Sequence, residues 1–255
     1  TRLTDVTGVQ TCALTIYALR AVLMANVLNS VLPSKAGDVA KAFYLKNHGG
    51  IVVGLGTVVL ERAVDLSMLG LMGIIGYFIS GAFWGLVSGG LLLGGIFSFA
   101  VSATFFPIEK LPLPEKYRQK LVSLLDVLKR WIRKPFAVLQ TVIASFCTWA
   151  LAGLSVCFLT CAFHRPVWGY SFGVFPLAVL AGLIPLTVSG IGTRDSAFIA
   201  LLSSQMPVEE ATFVGLGYTI LAYWLISLIS LPVVVFEIWA FWKNSLRLEE
   251  KQDAF

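Results

Sequence analysis

The feature that most constrains the fold of this chain is a series of apolar runs long enough to cross a lipid bilayer. A spanning helix needs about 20 mostly apolar residues, and the runs at 84–106 and 136–163 reach that length without a charged residue. The composition agrees, since 57% of the residues are hydrophobic and 13% are charged, whereas soluble domains carry roughly 25% charged residues. The sequence therefore predicts an all-α fold, a polytopic helical bundle that is integral to a membrane.

The remaining helices are predicted from the positions of the other apolar stretches and from the polar residues that interrupt them. Besides the two uninterrupted spans, the sequence predicts several elements that are shorter or that contain polar residues. A polar tail follows the last of them. The predicted elements are the end of a span at 17–32, a short half-polar helix at 36–47, a long apolar stretch at 51–81, a surface helix at 115–134, an apolar stretch at 172–188, a short helix at 194–205, a tilted span at 209–242 and a tail at 243–255.

The segment 115–134 differs from its surroundings because it is amphipathic. Apolar residues recur at helical spacing, with lysines and arginines on the opposite side. Such a helix is typical of one that lies in the membrane interface. A loop helix that packs on neighbouring spans accounts for the pattern equally well, and the sequence leaves both interpretations open.

Residues 1–16 are excluded from the predicted fold. The stretch from Val6 to Ile16 resembles the translation of a common sequencing adapter with one substitution, and it lacks the basic region and cleavage site of a signal peptide. We therefore expect a non-native N-terminal segment, with one or more native N-terminal helices missing. A single transmembrane domain is expected over 17–242.

The distribution of basic residues predicts the orientation in the membrane. Cytoplasmic loops carry an excess of lysine and arginine, so the loop at 107–134 is expected on the cytoplasmic side of a plasma or inner membrane. The polar tail is also expected to be cytoplasmic, which requires 172–188 and 194–205 to form the two limbs of a re-entrant hairpin. The basic residues of the loop are Lys110, Lys116, Arg118, Lys120, Lys129, Arg130, Arg133 and Lys134.

The polar interruption between the two limbs of the hairpin contains the strongest candidate for a binding site. Gly190 and Gly192 permit a tight turn and close approach of a ligand, and Thr193 is predicted to cap the following helix, whose N-terminal amides attract anions. Arg194 adds a planar cation that suits phosphate. Asp195 suits the first turn of a helix and is positioned to hold Arg194. The alternative is an ordinary cytoplasmic turn with a helix cap.

A second interruption, from Leu32 to Lys41, repeats this pattern of proline, glycine and charge. Lys35, Asp38 and Lys41 precede or open a short helix, and Asn29 lies on the helix before it. Together with the first interruption, these residues suggest two half-helices that face one site, as in transporters with a pseudo inverted repeat. Alternatively, Asp38 and Lys41 form a surface ion pair at i,i+3 spacing.

Three charges lie close together in the long apolar stretch 51–81. Glu61 and Asp65 share a helix face, and Arg62 is positioned to neutralise one of them. Charges inside a membrane segment face the protein interior or a cavity, which predicts a functional site. The alternative is that these residues mark a helix start at the cytoplasmic interface.

These motifs together resemble the transmembrane flippase domain of the lysylphosphatidylglycerol synthases. The resemblance covers roughly residues 20–242 and implies movement of a polar-headed lipid between leaflets by a stand-alone member without an aminoacyl-transferase domain. Within it, Asp195 replaces a glutamate of the family pattern, Ser189 departs from the usual residue, and 217–221 lacks an expected cation. The matching motifs are Asn29…Leu32-Pro33-Ser34-Lys35-Ala36-Gly37-Asp38…Lys41, Glu61-Arg62…Asp65 and Ser189-Gly190-Ile191-Gly192-Thr193-Arg194-Asp195.

The partner implied by the resemblance is a membrane lipid, either an anionic phospholipid or a lipid-linked headgroup. Arg194, Lys35 and Lys41 are expected to hold the phosphate, and Asp38, Glu61, Asp65 and Asp195 to balance these cations or to meet a cationic headgroup. No cofactor, catalytic residue or metal site is expected, because the chain has only two histidines and no clustered metal-binding motif. The net charge of +5 is no signal for nucleic acid, since the basic residues flank membrane segments.

Three other functions remain compatible with the sequence. An ion- or proton-coupled transporter of a small solute would use the carboxylates as coupling sites. A membrane-embedded enzyme that acts on lipid-linked phosphate is disfavoured, because no aspartate-rich metal motif or serine–histidine arrangement is present. A non-catalytic accessory subunit of a lipid or glycan biosynthesis enzyme is the third.

Overall fold

The computed structural model of the chain describes residues 19–32, 37–40, 51–105, 114–164, 167–184 and 186–252. Within these ranges the chain is helical and contains no β-strand, which confirms the predicted all-α membrane bundle. A π-helical segment, Ile220–Leu225, joins the last two helices. The helices are α1 (Leu19–Val31), α2 (Ile51–Ser80), α3 (Phe83–Phe105), α4 (Glu115–Ile132), α5 (Pro135–Ala162), α6 (Trp168–Leu183), α7 (Thr193–Leu202), α8 (Val208–Thr219) and α9 (Ile226–Gln252).

Three helical stretches in the described ranges are long and apolar enough to cross a membrane. They are Gly54–Ser80 in α2, Pro135–Ala162 in α5, and Val208–Trp239, which runs through α8, the π-helical segment and α9. Large apolar side chains on these helices point outward, and Phe78 is 79% exposed. This exposure is compatible with lipid as the surrounding solvent.

The predicted element boundaries agree with the structure for most of the chain, with one extension and one gap. Helix α9 continues to Gln252, so most of the predicted polar tail extends the last helix. The predicted helix at 36–47 is described only at 37–40, where residues 38–40 are helical. The other residues of that helix and the segment 1–16 lie outside the described ranges.

Glycines allow α2 to approach α3 and α6 closely. A Cβ on Gly76 would lie 2.2 Å from Cα of Gly173 on α6, and a Cβ on Gly73 would lie 2.6 Å from the carbonyl oxygen of Gly85 on α3. Real Cβ atoms do not tolerate such distances, so these contacts require glycine. Small residues at helix crossings let backbones pack tightly in a membrane, where the hydrophobic effect between helices is weak.

An aromatic cluster holds α6, α7 and α8 together in the core. The ring of Tyr218 lies edge-on to Phe175 and Phe198, at centroid distances of 5.6 and 5.4 Å. Edge-to-face arrangements are the favourable geometry for aromatic pairs. Because Phe175 and Phe198 are fully buried, this cluster fixes the position of Tyr218 relative to the hairpin.

Helices α6 and α7 form a hairpin whose two open ends meet. Tyr170, in the first turn of α6, donates a hydrogen bond from its hydroxyl to the carbonyl oxygen of Leu201 at 3.0 Å. The same hydroxyl lies 2.9 Å from Oγ of Ser204. The chain therefore leaves the hairpin at the end where it entered, which is the geometry that a re-entrant element requires. Its depth in a membrane stays a prediction.

The amphipathic helix α4 packs against α2. Its first turn contains a side-chain hydrogen bond from Arg118 to Glu115. This hydrogen bond, and to a smaller extent the Arg118 charge, lowers the pKa of Glu115. The contact with α2 supports the interpretation of this segment as a loop helix that packs on a neighbouring span. The position of the exposed face in the membrane interface stays a prediction.

Candidate functional site

A charged cluster lies where α1, α2 and the segment 37–40 meet, and Arg62 is its centre. Nη2 of Arg62 lies 3.0 Å from Oδ2 of Asp65 and 2.9 Å from Oε1 of Glu61. Its Nε lies 3.4 Å from Oδ2 of Asp38. A single cation therefore contacts three carboxylates. The contacts with Glu61 and Asp65 follow the predicted grouping of these residues around Arg62, and the structure adds Asp38 as a third partner.

Two uncharged side chains orient the carboxylates of this cluster. Nδ2 of Asn29 on α1 donates to Oδ1 of Asp38 at 3.0 Å, and Asp38 is only 5% exposed. Oγ of Ser145 on α5 donates to Oδ1 of Asp65 at 2.6 Å. The structure thus brings together Asn29, Asp38 and Asp65, as predicted, and adds Ser145, which has no recognisable signal in the sequence.

The Arg62 cluster faces a cavity of about 740 Å³. Its walls come from α1, α2, α5 and the chain from Tyr218 to Ser227. A volume of this size is within the range of about 300–1,000 Å³ that small-molecule sites occupy. Leu151 and Leu221 also line the cavity and are exposed on the outer surface. The cavity therefore combines a charged inner wall with an apolar rim.

Helix α1 closes one side of the cavity through polar contacts with α9. Oγ of Ser227 donates to the carbonyl oxygen of Asn26 at 3.3 Å. Farther along the same two helices, Nη1 of Arg20 lies 2.6 Å from Oε1 of Glu237. This ion pair joins α1 to α9. It gives Glu237 an opposite charge as a partner on a helix that is otherwise apolar at this point.

A second charged cluster lies in the first turn of α7, directly after the hairpin loop, and is buried. Arg194 is 1% exposed and Asp195 is 4% exposed. Nη2 of Arg194 donates to Oγ1 of Thr219 at 2.6 Å, and Oγ1 of Thr219 donates to Oδ1 of Asp195 at 2.6 Å. Nε of Arg194 lies 3.7 Å from the same Asp195 oxygen. Thr219 on α8 thus bridges the two charges, which partly compensates for the cost of burying them.

The backbone of the loop explains why the predicted glycines are needed. Gly190 and Gly192 have φ angles of +73° and +92°, a region that glycine adopts without steric cost. A Cβ on Gly190 would lie 2.7 Å from the carbonyl oxygen of Gly182, and a Cβ on Gly182 would lie 2.9 Å from Cβ of Arg194. Helix α6 therefore packs so closely on the loop and on Arg194 that neither Gly182 nor Gly190 has room for a side chain.

The cap of α7 differs by one residue from the prediction. The N-cap is Gly192, whose backbone amide donates to Oδ2 of Asp195 at 3.1 Å. Thr193 is the first helical residue, and its hydroxyl lies 3.1 Å from Oγ1 of Thr187. The prediction that Thr193 is the cap was wrong because the left-handed turn at Gly192 reverses the chain one position earlier. The acidic side chain that satisfies this amide also suits the positive end of the helix.

Two tyrosines separate the buried cluster from the cavity. The guanidinium carbon of Arg194 lies 4.0 Å from the ring centroid of Tyr223 and 5.4 Å from that of Tyr218. Both rings line the cavity, whereas Arg194 and Asp195 do not. The two predicted halves of the site therefore lie on opposite sides of these rings.

Sequence reasoning missed Thr219, Tyr218 and Tyr223. The region 217–221 drew attention only because it lacks a cation that the family resemblance predicts. In the structure, this region contributes Thr219, whose hydroxyl accepts a hydrogen bond from Arg194. The predicted site residues Lys35 and Lys41 lie outside the described residues. Within the described ranges, no group of three His, Cys, Asp or Glu side chains is arranged to hold a metal ion.

Comparison with known proteins gives a consistent assignment. The chain is 28% identical over 219 residues to a UPF0104 membrane protein of Methanocaldococcus jannaschii, an alignment that covers 80% of this chain and 89% of the relative. No solved structure matches the chain. The family model described as the lysylphosphatidylglycerol synthase TM region matches residues 13–230. The chain therefore belongs to the family of lysylphosphatidylglycerol synthase transmembrane regions, and it is a multi-pass membrane protein.

Proposed function

We propose that this protein moves a polar-headed lipid between the leaflets of a membrane, without catalysing a chemical reaction. The observation that carries the proposal is the cavity of about 740 Å³ that contains Arg62, Asp38 and Asp65 inside a bundle of apolar helices. A phosphate headgroup cannot cross hydrocarbon at a useful rate without polar partners, because burying an unpaired charge costs many kcal/mol. A charged cavity with an apolar rim supplies those partners.

The arrangement suggests how a lipid would be held. The headgroup phosphate would accept hydrogen bonds from Arg62, whose planar guanidinium suits phosphate, in exchange for one of its carboxylate partners. The freed carboxylate would meet a cationic part of the headgroup or a proton. The acyl chains would stay in the bilayer beside Leu151 and Leu221. Lys35 and Lys41 are proposed as further phosphate partners.

The proposed orientation follows the positive-inside rule. The loop 107–134 and the C-terminus would be in the cytoplasm, and the membrane would be the plasma or inner membrane. Cysteine introduced at position 129, which is exposed on α4, should react with a membrane-impermeant maleimide only after cells are opened. Labelling in intact cells would contradict this orientation.

The function can be tested by leaflet exchange in reconstituted vesicles. The purified protein is incorporated into vesicles with fluorescent phospholipids or glycolipids, and dithionite is added to reduce the label in the outer leaflet. We expect the protein to expose inner-leaflet label for at least one polar-headed lipid, and Arg62→Ala to slow this at least tenfold. Arg130→Ala, which removes an exposed arginine of α4, is the matched control and should have no effect.

Other results would assign a different role. Absence of exchange for every lipid, combined with proton- or sodium-dependent uptake of a water-soluble compound, would identify a solute transporter. Absence of any transport, combined with stable co-purification of a lipid or glycan biosynthesis enzyme, would identify an accessory subunit.

A further inference from the structure

Arg194 is the most deeply buried charged side chain among the described residues, and two tyrosine rings lie between it and the cavity. Its guanidinium is 1% exposed and lies under the rings of Tyr218 and Tyr223. Both rings also line the cavity, whereas Arg194 does not.

The two tyrosines differ in how firmly they are held. Tyr218 is 2% exposed and is packed edge-on against Phe175 and Phe198. Tyr223 is half-buried. Among the described residues, its aromatic neighbour is Tyr218, at 6.2 Å, and its hydroxyl forms no hydrogen bond. Tyr223 packs at the edge of the core cluster to which Tyr218 belongs, so turning its ring would disturb the core less than moving Tyr218.

The backbone under Tyr223 is also unusual. It belongs to the π-helical segment Ile220–Leu225, which interrupts an otherwise α-helical run from α8 to α9. Short π-helical segments inside α-helices are rare and are frequent at functional sites. The change from π- to α-helical hydrogen bonding shifts side chains around the helix axis, so this segment provides a route for moving Tyr223.

Arg194 has capacity for a further partner. Among the described residues, no acceptor forms a hydrogen bond with its Nε, and Oδ1 of Asp195 is 3.7 Å away. This nitrogen is buried and can donate to an anion. The two terminal nitrogens donate hydrogen bonds to Oγ1 of Thr219 and to the carbonyl oxygen of Ser189. These hydrogen bonds hold the guanidinium in place.

We propose that Tyr223 is the gating residue of the cavity, and that turning its ring aside lets the phosphate of a lipid headgroup reach Arg194. The identification of the anion as a lipid phosphate rests on the proposed function. It makes Arg194 a second phosphate partner, reached after the headgroup has entered beside Arg62. Tyr223 would then separate an entry position from an inner position on the path of the headgroup.

The gate can be tested without measuring transport, through the reaction of arginine with phenylglyoxal in purified protein. Modification of each arginine is followed by mass spectrometry, with the exposed Arg130 as internal reference. We expect Arg194 to be protected in the wild type, to react at least tenfold faster in Tyr223→Ala, and to stay protected in Tyr223→Phe, which keeps the ring. Trp224→Ala removes a 55%-exposed ring from the same segment and should leave Arg194 protected.

Tyr223→Leu serves as a second variant if the alanine variant loses helical structure by circular dichroism. It keeps an apolar side chain but removes the flat ring, so it should also expose Arg194. If neither variant modifies Arg194 faster than the wild type, Tyr223 is not the gate. Equal acceleration in Trp224→Ala would also overturn the proposal, because it would indicate general loosening of the segment.

The phosphate partner is tested in the same reaction with short-chain phosphatidylglycerol as the probe. In Tyr223→Ala, this lipid should slow modification of Arg194 at least threefold, whereas short-chain diacylglycerol, which lacks the phosphate, should not. Equal effects of the two lipids would overturn the assignment of Arg194 to phosphate. Failure of leaflet exchange in wild-type vesicles would remove the proposed function and leave the gate result standing, so the two failures are distinguishable.

Discussion

Oγ1 of Thr219 accepts a hydrogen bond from Nη2 of Arg194 at 2.6 Å and donates one to Oδ1 of Asp195 at the same distance. This contact joins the first turn of α7 to the end of α8 across 25 positions of the chain. It keeps a cation and a carboxylate together in a place where neither reaches solvent. The stability of the hairpin should therefore depend in part on this hydroxyl group.

Replacing Thr219 with valine should destabilise the protein by about 1–3 kcal/mol, because both buried charges lose a hydrogen-bond partner while the side-chain shape is kept. Thr219→Ser retains the hydroxyl and should cost less. The free energy of unfolding can be measured by denaturation in detergent micelles. A valine variant as stable as the serine variant would show that the bridge contributes nothing.

Gly182→Ala should impair leaflet exchange without preventing membrane insertion. The added Cβ would lie 2.9 Å from Cβ of Arg194, so Arg194 or the loop must shift. We expect at least a tenfold slower exchange of fluorescent lipid in vesicles. Gly90→Ala on α3 is the matched control, since its Cβ would meet no atom within 4 Å, and it should behave as the wild type.

Ser145→Ala should reduce lipid exchange because Asp65 loses the hydrogen bond that orients it toward Arg62. A hydrogen bond to a charged group contributes about 1.5–3 kcal/mol, which corresponds to a roughly 10- to 150-fold slower rate if the orientation is needed for transport. The hydroxyl of Ser80 bonds only within α2, to the carbonyl of Gly76. Ser80→Ala should therefore leave the exchange rate unchanged, and equal effects of both variants would contradict this role of Ser145.

The ion pair between Arg20 and Glu237 should hold α1 against α9. Arg20→Glu and Glu237→Arg should each lower the melting temperature in detergent, because each places two like charges together. The double variant restores an opposite pair and should recover most of the loss, with a coupling energy of about 1 kcal/mol. Additive losses in the double variant would show that the two side chains do not interact.

The elements of this fold could be predicted because hydropathy and length are local properties. The runs that became α3 and α5 are apolar for their whole length, and burial in hydrocarbon requires every backbone group to be satisfied within a helix. The hairpin of α6 and α7 was predictable for a related reason, since the second limb is too short to cross and a full crossing by the first would require another crossing before the basic tail. Gly190 and Gly192 were recognisable because a tight turn requires them.

The candidate site could be predicted only in part. Asn29, Asp38, Glu61, Arg62 and Asp65 were identified from charge in an apolar context and from the family resemblance, and the structure places them in one cluster. Their phosphate-binding roles stay predictions. Ser145 could not be found, because a serine in an apolar helix is common and its partner Asp65 is 80 positions away.

The sequence by itself determined that the chain is a membrane helical bundle, since the transfer of apolar residues into lipid depends on composition over about 20 positions. It also identified the charges that are candidates for burial or for a cavity wall. Only the tertiary structure decided that Arg62 faces the cavity whereas Arg194 lies behind Tyr223. The reason is geometric: which side of a ring a guanidinium occupies depends on how α6, α7 and the π-helical segment pack, and no single stretch of sequence contains that information.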